Sequence, residues 1–516
     1  MFMGYVGGRI NASRGALAAL VVLIIGTLAC SGTRAASDRL VHRYLETAPS
    51  PDGQFVAAVE GDAPESGREP TVRDLVIRPV DGAAATNVAL PCGHVRECWP
   101  SSLTWTHDAH QLSFALRTPG SHARSLYAVD PDGTHLTQLL AFDGTILSLQ
   151  YGPDGKLAML ATEAANKEEG ATQAGTSLAE ARATGVHEQR IAVLESGHLN
   201  WMSPAELYVY EYEWLPNGQG FIGTAAHGNG DSNWWIARLY AFDISSASAR
   251  VIYAPADPRQ QIAEPRISSD GRMVAFIGGL MSDFGSTGGD VFLVPFSGGN
   301  AVNATKGRRA SATSLGFDCQ GHLLARLLHG DQFELVQLDL TAPASAPPIL
   351  WSGSAPIFGH RAGLSFGCPS DITSMVQEEF ASPPEIQVGT IGHWRALTAA
   401  NSGMTLPAHA QSIRWKNAGF ELQGWLLIPD NHAPKLPLIT IVHGGPAAAS
   451  VPGFIGAGLN LSLLQRGYAL FLPNPRGSFG QGEAFTAANV RDFGHGDLRD
   501  ILSGIDAAER VAPIDD

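Results

Sequence analysis

A chain of 516 residues is too long for one ordinary domain and long enough to bury several cores. With 44% hydrophobic and 16% charged residues, and with 58 Gly and 32 Pro, the composition excludes extended disorder and favours turn-rich β structure over helical bundles. The net charge of -15, without any Lys/Arg block that would neutralise phosphates, argues against nucleic acid as a partner and identifies no substrate.

At the N-terminus Arg9 and Arg14 precede an uncharged apolar run from Gly15 to Ala29, and small residues follow through Ala36. A basic head, an apolar middle and a small-residue tail predict a secretory signal peptide over residues 1–36. The run is short for a membrane span, which needs roughly 20 apolar residues, and an uncleaved N-terminal anchor is the alternative. Cys30 stands where a lipoprotein cysteine would, but Thr27 occupies the place where such a signal normally has Leu. The expected location is therefore secreted or periplasmic, with membrane attachment as the alternative through the same segment. An oxidising compartment permits disulfides, so Cys92 and Cys98 in "PCGHVREC" are expected to close a small loop. Zinc is disfavoured there because no second Cys/His pair at ligand spacing stands nearby. Cys319 and Cys368 are expected to be buried thiols.

Between about Ser50 and Gly392 one phrase recurs: a strand-like apolar run, a turn of the Pro-Asp-Gly type, and another strand-like run. It is clearest in "PSPDGQFVAAVE", "YGPDGKLAMLA", "WLPNGQGFIGTA" and "ISSDGRMVAFIG", and weaker in "WTHDAHQLSFAL", "FDCQGHLLARLL" and "FGCPSDITSMVQ". Asp-Gly and Asn-Gly supply the positive φ angles that tight hairpins need, while alternating apolar residues bury one face. The turn centres fall near Asp52, Asp108, Asp154, Asn217, Asp270, Gln320 and Ser370, and second hairpins such as "SLYAVDPDGTHLTQLL" lie between them. Four strands per unit, at this spacing and with seven beats, predict a seven-bladed β-propeller over residues 37–395. The polar, alanine-rich stretch "NKEEGATQAGTSLAEARATGVHEQ" reads as an inserted loop or short helix.

The repeat then stops. A hairpin-like segment leads through a Pro-flanked polar loop to "PLITIV", a continuous apolar run typical of a strand buried on both faces in a parallel sheet. A helical stretch around "LNLSLLQRG", the strand "YALFLPNPRGS" and the helical spacing of "GHGDLRDILSGIDAAERV" complete a β, α, β, α order over residues 396–516. The fold class expected is mainly β plus α/β: a seven-bladed propeller followed by the beginning of a doubly wound α/β domain.

Val442 to Pro446 ("VHGGP"), Asn474 to Ser478 ("NPRGS") with "FGQGEAF" after it, and "GHGDLRD" resemble the prolyl oligopeptidase family of serine peptidases, in its acylaminoacyl and dipeptidyl peptidase branch. The resemblance implies that the α/β part is the N-terminal half of an α/β-hydrolase domain, and that the protein is a secreted serine peptidase that hydrolyses short peptides by acyl transfer without cofactor or metal, the propeller screening substrates by size. It implies that Gly445 lends its N–H to the tetrahedral intermediate and that His443 and Gly444 shape that loop; two glycines after a buried strand leave backbone N–H groups free to face a cavity. Arg476 and Asp497 read as an internal scaffold, by ion pairing or helix capping. Dipeptidyl peptidases of this family hold the substrate amine with acidic residues, which draws attention to Glu211 and Glu213 in "LYVYEYEWLPNG", although an adjacent Glu pair is lacking and the alternating spacing also suits two residues on one strand face.

The family's nucleophile elbow, G-x-S-x-G, is absent from the 516 residues; the nearest stretch is "RGSFG", with Arg476 in place of the first Gly. None of the 17 His is tied by spacing to a plausible nucleophile. The resemblance places the Ser, Asp and His beyond Asp516, so the chain is expected to be incomplete and inactive as given. The alternative is a non-catalytic propeller protein that binds peptides or protein partners.

Overall fold

A computed structural model describes residues 40–64, 69–121, 123–164, 188–228, 230–343 and 346–515. The expected leader and residues 166–187 of the polar insertion lie outside the described residues. No helix among the described residues is long and apolar enough to cross a membrane.

Each repeat is nucleated by a turn that its own side chains lock. In the first, Ser50 Oγ donates to Asp52 Oδ1 at 2.5 Å, and the same carboxylate oxygen accepts the Gln54 N–H at 3.0 Å. Ser50 Oγ in turn accepts the Phe55 N–H at 2.9 Å, which closes the hairpin. Thr106 with Asp108, and Ser268 with Asp270, make the same set of bonds. Gly53 is required at its position: its φ is 71°, and a Cβ there would meet Ser370 Oγ at 2.7 Å.

From that hairpin, strands Val41–Pro49, Phe55–Ala63, Asp74–Pro79 and Thr86–Asn87 form an antiparallel sheet in chain order. Five more four-stranded sheets follow, their first strands beginning at Trp99, Gly144, Leu207, Gln261 and Ser311. In the seventh the first strand is split into Ile357–Phe358 and Ser365–Gly367, both paired with Ile372–Gln377. These are the seven blades of a β-propeller. Second strands such as Met273–Gly279 are buried almost throughout because a neighbouring blade covers each face. Blades 1 and 2 meet through Ile77, Leu112 and Phe114, and blades 7 and 1 through Val56, Val376 and Ile386. Every blade is contiguous in sequence, so the ring closes by side chains instead of strand exchange. Ser374 Oγ donates to Thr47 Oγ1 at 3.0 Å, and Asn401 exchanges two hydrogen bonds of 2.9 Å with the His42 backbone.

Two disulfides brace the ring. Cys92 and Cys98 are bonded within one loop. The expectation of buried thiols at Cys319 and Cys368 is overturned: they form a second disulfide, with Cα atoms 5.3 Å apart, and Cys368 is exposed. The physical reason is the repeat itself, because the two cysteines occupy corresponding turns of adjacent blades.

The C-terminal sheet is mixed instead of wholly parallel. Strand Leu438–Thr440 runs parallel to Ala469–Asn474, while the hairpin Ala408–Asn417 and Phe420–Pro429 joins the latter antiparallel through Leu427 opposite Leu470. Helix Gly496–Val511 covers one face, with Ala507 and Ala508 against Trp415 and Phe471. Helix Gly458–Gln465 covers the other, with Leu464 against Leu427 and Leu470. The two parts meet where Ala447 and Phe479 pack on Leu328 and Phe333 of the propeller.

Candidate active site

The loop after strand Leu438–Thr440 carries the VHGGP residues out of the sheet, with Ile441 N–H still bonded to Phe471 O at 2.8 Å. Gly445 adopts a φ of 124°, and a Cβ there would meet the Ala447 nitrogen at 2.8 Å, so the turn demands glycine. Gly444 and Gly445 are exposed, and their N–H groups have no acceptor among the described residues. Two residues on, Ala447 is clamped to the propeller: Ser282 Oγ accepts its N–H at 2.8 Å and Ser286 Oγ donates to its carbonyl at 2.9 Å. The glycine loop is thereby held against the propeller.

His443 lies beneath this loop. Its Nδ1 is 2.8 Å from the Gly444 carbonyl and its Nε2 is 3.0 Å from Ser478 Oγ. The carbonyl accepts only from Nδ1–H, so Nε2 accepts the Ser478 hydroxyl proton. Burial holds the imidazole below its ordinary pKa, in keeping with a neutral ring. Ser478 is 1% exposed, which closes this Ser–His pair to any substrate. Arg476 finds a partner other than Asp497: its Nε and Nη2 each lie 2.7 Å from the buried Asp500 carboxylate. Asp497 instead sits in the first turn of helix Gly496–Val511, where its Oδ1 accepts the Leu498 N–H at 2.9 Å.

A cavity of about 510 Å³ opens between the two parts. Ala448, Ala449, Val451 and Phe479 wall it from the α/β side, and Trp234, Phe284, Phe333 and Phe358 from the propeller. Its ionisable lining residues are Glu211, Glu264, Arg326 and His360.

Glu211 and Glu213 both lie on the first strand of blade 4, Leu207–Trp214. Glu211 reaches the cavity, and Glu213 is not among the lining residues. The Glu211 carboxylate accepts the Glu264 N–H at 3.0 and 3.1 Å and the Thr224 hydroxyl at 2.9 Å. Burial, with Glu264 nearby, pushes it up to about 7. Glu213 accepts the Ile267 N–H at 3.1 Å and pairs with Arg361 at 3.1 Å. Each therefore ties blade 4 to the backbone of blade 5. Glu264 is paired with Arg266 at 2.6 Å. His360 is reached by solvent from the cavity yet ringed by protein, and burial together with Arg361 and Arg266 holds it below its ordinary pKa.

Sequence reasoning missed Arg326, Glu264 and His360. Arg326 alone carried a signal, as a charge inside the apolar run "LLARLL".

Residues 456–515 match the model of the "Prolyl oligopeptidase family". Over that segment the chain is similar to the prolyl oligopeptidase family. Among similar proteins, "Probable dipeptidyl-peptidase 5" of Aspergillus terreus is 25% identical over 135 residues, 26% of this chain and 18% of that protein. The "Uncharacterized peptidase YuxL" of Bacillus subtilis is 34% identical over 97 residues, 18% of this chain and 14% of that protein. These alignments span less than a fifth of either relative's length. Among solved structures, the Pyrococcus horikoshii acylaminoacyl peptidase superposes with a TM-score of 0.66 at 16% identity, covering 93% of this chain and 72% of that one. A Mycobacterium tuberculosis "puromycin-hydrolyzing peptidase" gives 0.63 at 13% identity, covering 93% and 73%. The two-part fold is thus shared with these two solved structures over nearly all of the chain.

Proposed function

We propose that this chain carries the substrate chamber and oxyanion loop of an exported serine peptidase that hydrolyses short peptides by acyl transfer. The observation that carries the reading is the cavity, formed between the propeller and the residues that follow the HGGP loop. In this reading the Gly445 N–H, exposed and without an acceptor among the described residues, donates to the tetrahedral oxyanion. His443 and Gly444 fix the loop through the bond between them. The leader-like N-terminus and the two disulfides support a secreted or periplasmic location, with membrane attachment through the same N-terminal segment as the alternative.

The 516 residues hold no G-x-S-x-G, and the Ser478–His443 pair is sealed from substrate. In this reading the cavity residues bind and orient the peptide.

Trp234 fluorescence tests the chamber. Saturable quenching by peptides of two to five residues, with none by a folded protein, is the result expected, and no response to any peptide overturns the reading. The amine contact falls to Glu211, the one of the two carboxylates that lines the chamber. Glu211→Gln should then weaken free-amine peptides relative to their N-acetylated forms; unchanged preference removes that role.

A further inference from the structure

Among the described residues, Arg326 lines the cavity without a carboxylate at ion-pair distance. Arg326 lies on the second strand of blade 6, Leu323–His329, and points from an otherwise apolar run into the chamber. Its Nε donates to Thr313 Oγ1 at 2.9 Å, its Nη1 donates to the Ile357 carbonyl, and its guanidinium lies 5.8 Å from the centre of the Phe333 ring. Those contacts fix the plane of the group. Its Nη2 has no acceptor among the described residues, and no carboxylate there lies within ion-pair distance of it.

The neighbouring acids are otherwise engaged. Glu264 is spent on Arg266, on the Ser314 hydroxyl at 3.2 Å and on the Leu315 N–H at 3.3 Å. Glu211 accepts from blade 5 and from Thr224 and makes no ion pair with Arg326, and Glu213 pairs with Arg361. Burial lowers Arg326 to about 10, so it stays charged at neutral pH while lacking the solvation a surface arginine has. A fixed, poorly solvated guanidinium with one free N–H pair is a receptor for an anion, and carboxylate matches its planar donors best. Around it Trp234, Phe284, Phe358 and Phe479 offer apolar walls to the rest of a ligand.

We propose that Arg326 is a carboxylate receptor in the chamber, taking through Nη2 an acidic side chain or the free C-terminal carboxylate of a short peptide. The proposal rests on the peptide-binding reading above and adds a preference that the reading does not contain.

Isothermal titration of the 516-residue chain tests it with four peptides: acetyl-Phe-Ala-Asp-amide, acetyl-Phe-Ala-Asn-amide, acetyl-Phe-Ala-Ala acid and acetyl-Phe-Ala-Ala-amide. At least one acid should bind about tenfold or more tighter than its neutral counterpart, since a charge-assisted hydrogen bond is lost in the amide. The first pair reports an acidic side chain and the second a C-terminal carboxylate. Arg326→Gln should level the affinities, and Arg326→Lys, which keeps the charge without the planar anchoring, should retain part of the preference. The ligand comparison in the parent chain decides the matter even where Arg326→Gln fails to fold. Parent affinities equal within about twofold for both pairs overturn the receptor alone. A preference that survives in a folded Arg326→Gln chain also overturns it. No binding of any of the four overturns the peptide reading and the receptor with it.

Discussion

Asp500 is completely buried, and as an isolated carboxylate it would be a large liability. Four N–H donors answer it: Arg476 Nε, Nη2 and backbone nitrogen, and Asn417 Nδ2. The Arg476 guanidinium lies 5.0 Å from the Phe420 ring centre, so the pair also joins the NPRGS strand end to the edge hairpin. Arg476→Met withdraws two of the donors and leaves a buried charge uncompensated. Urea unfolding should show a loss of about 3–5 kcal/mol, whereas Arg476→Met with Asp500→Leu should recover most of it, because the pair's attraction largely offsets its own desolvation. A loss under about 1 kcal/mol in the single variant contradicts this account. The sequence marks Arg476 as scaffold but not its partner. Asp497 and Asp500 are one helical turn apart on the same face, and only the approach of the strand end to the helix chooses between them.

At the scale of elements, the first strands of six blades carry a register shift opposite their second strands, as between Tyr44 and Glu46 and between Val209 and Glu211. A bulge turns backbone N–H groups out of the ladder, and in several blades the preceding blade supplies the acceptor. Glu46 accepts from Ser102 and Leu103 at 2.8 and 2.6 Å, Ser102 Oγ from Ser148 at 3.2 Å, Glu211 from Glu264 at 3.0 Å, and Glu264 from Leu315 at 3.3 Å. The turns of the repeat were legible because Asp-Gly chemistry is local; the bulges were not, since one extra residue leaves no mark in an apolar run that is buried on both faces. Burial pushes both Glu46 and Glu211 up to about 7. At these two groups the folded chain holds more protons than the unfolded chain between the ordinary carboxylate range and pH 7, and their contribution to stability falls as pH rises through that window. Some solvent reaches both side chains, so the loss should be about 1 kcal/mol for each between pH 5 and pH 8. Thermal melting should show Glu46→Gln with Glu211→Gln making the fall in stability with pH shallower than in the parent, while Glu483, which burial also raises to about 7, adds to that fall and His360 and His443, held below their ordinary pKa, oppose it. Identical slopes in parent and double variant remove the two carboxylates as its source.

For the whole molecule the decisive fact is a ring closed without strand exchange, so that resistance to opening depends on contacts between blades. The sequence made the number of blades legible through its seven turn centres, and the second part through HGGP and NPRGS. It left Cys319 and Cys368 as thiols because their separation of 49 residues suggests no pairing when read linearly. Read as a period it does: the weak repeats "FDCQGH" and "FGCPSD" each carry a cysteine at nearly the same offset from the turn, and corresponding turns of consecutive blades are neighbours. The Gln320 amide reinforces the same junction by donating to Asp371 at 2.6 Å. Loop-closure entropy in the unfolded chain then sets what each disulfide contributes. The Cys319–Cys368 bond closes a far longer loop than Cys92–Cys98, whose members are six positions apart. Replacing the first pair by Ser should cost about 4 kcal/mol and the second about 2 kcal/mol. Guanidinium unfolding of the two double variants measures the difference. Equal losses, or a larger loss at Cys92–Cys98, mean that local packing in that loop outweighs chain entropy, and that the junction of blades 6 and 7 holds by its apolar core of Leu324, Leu335, Ile357 and Leu364.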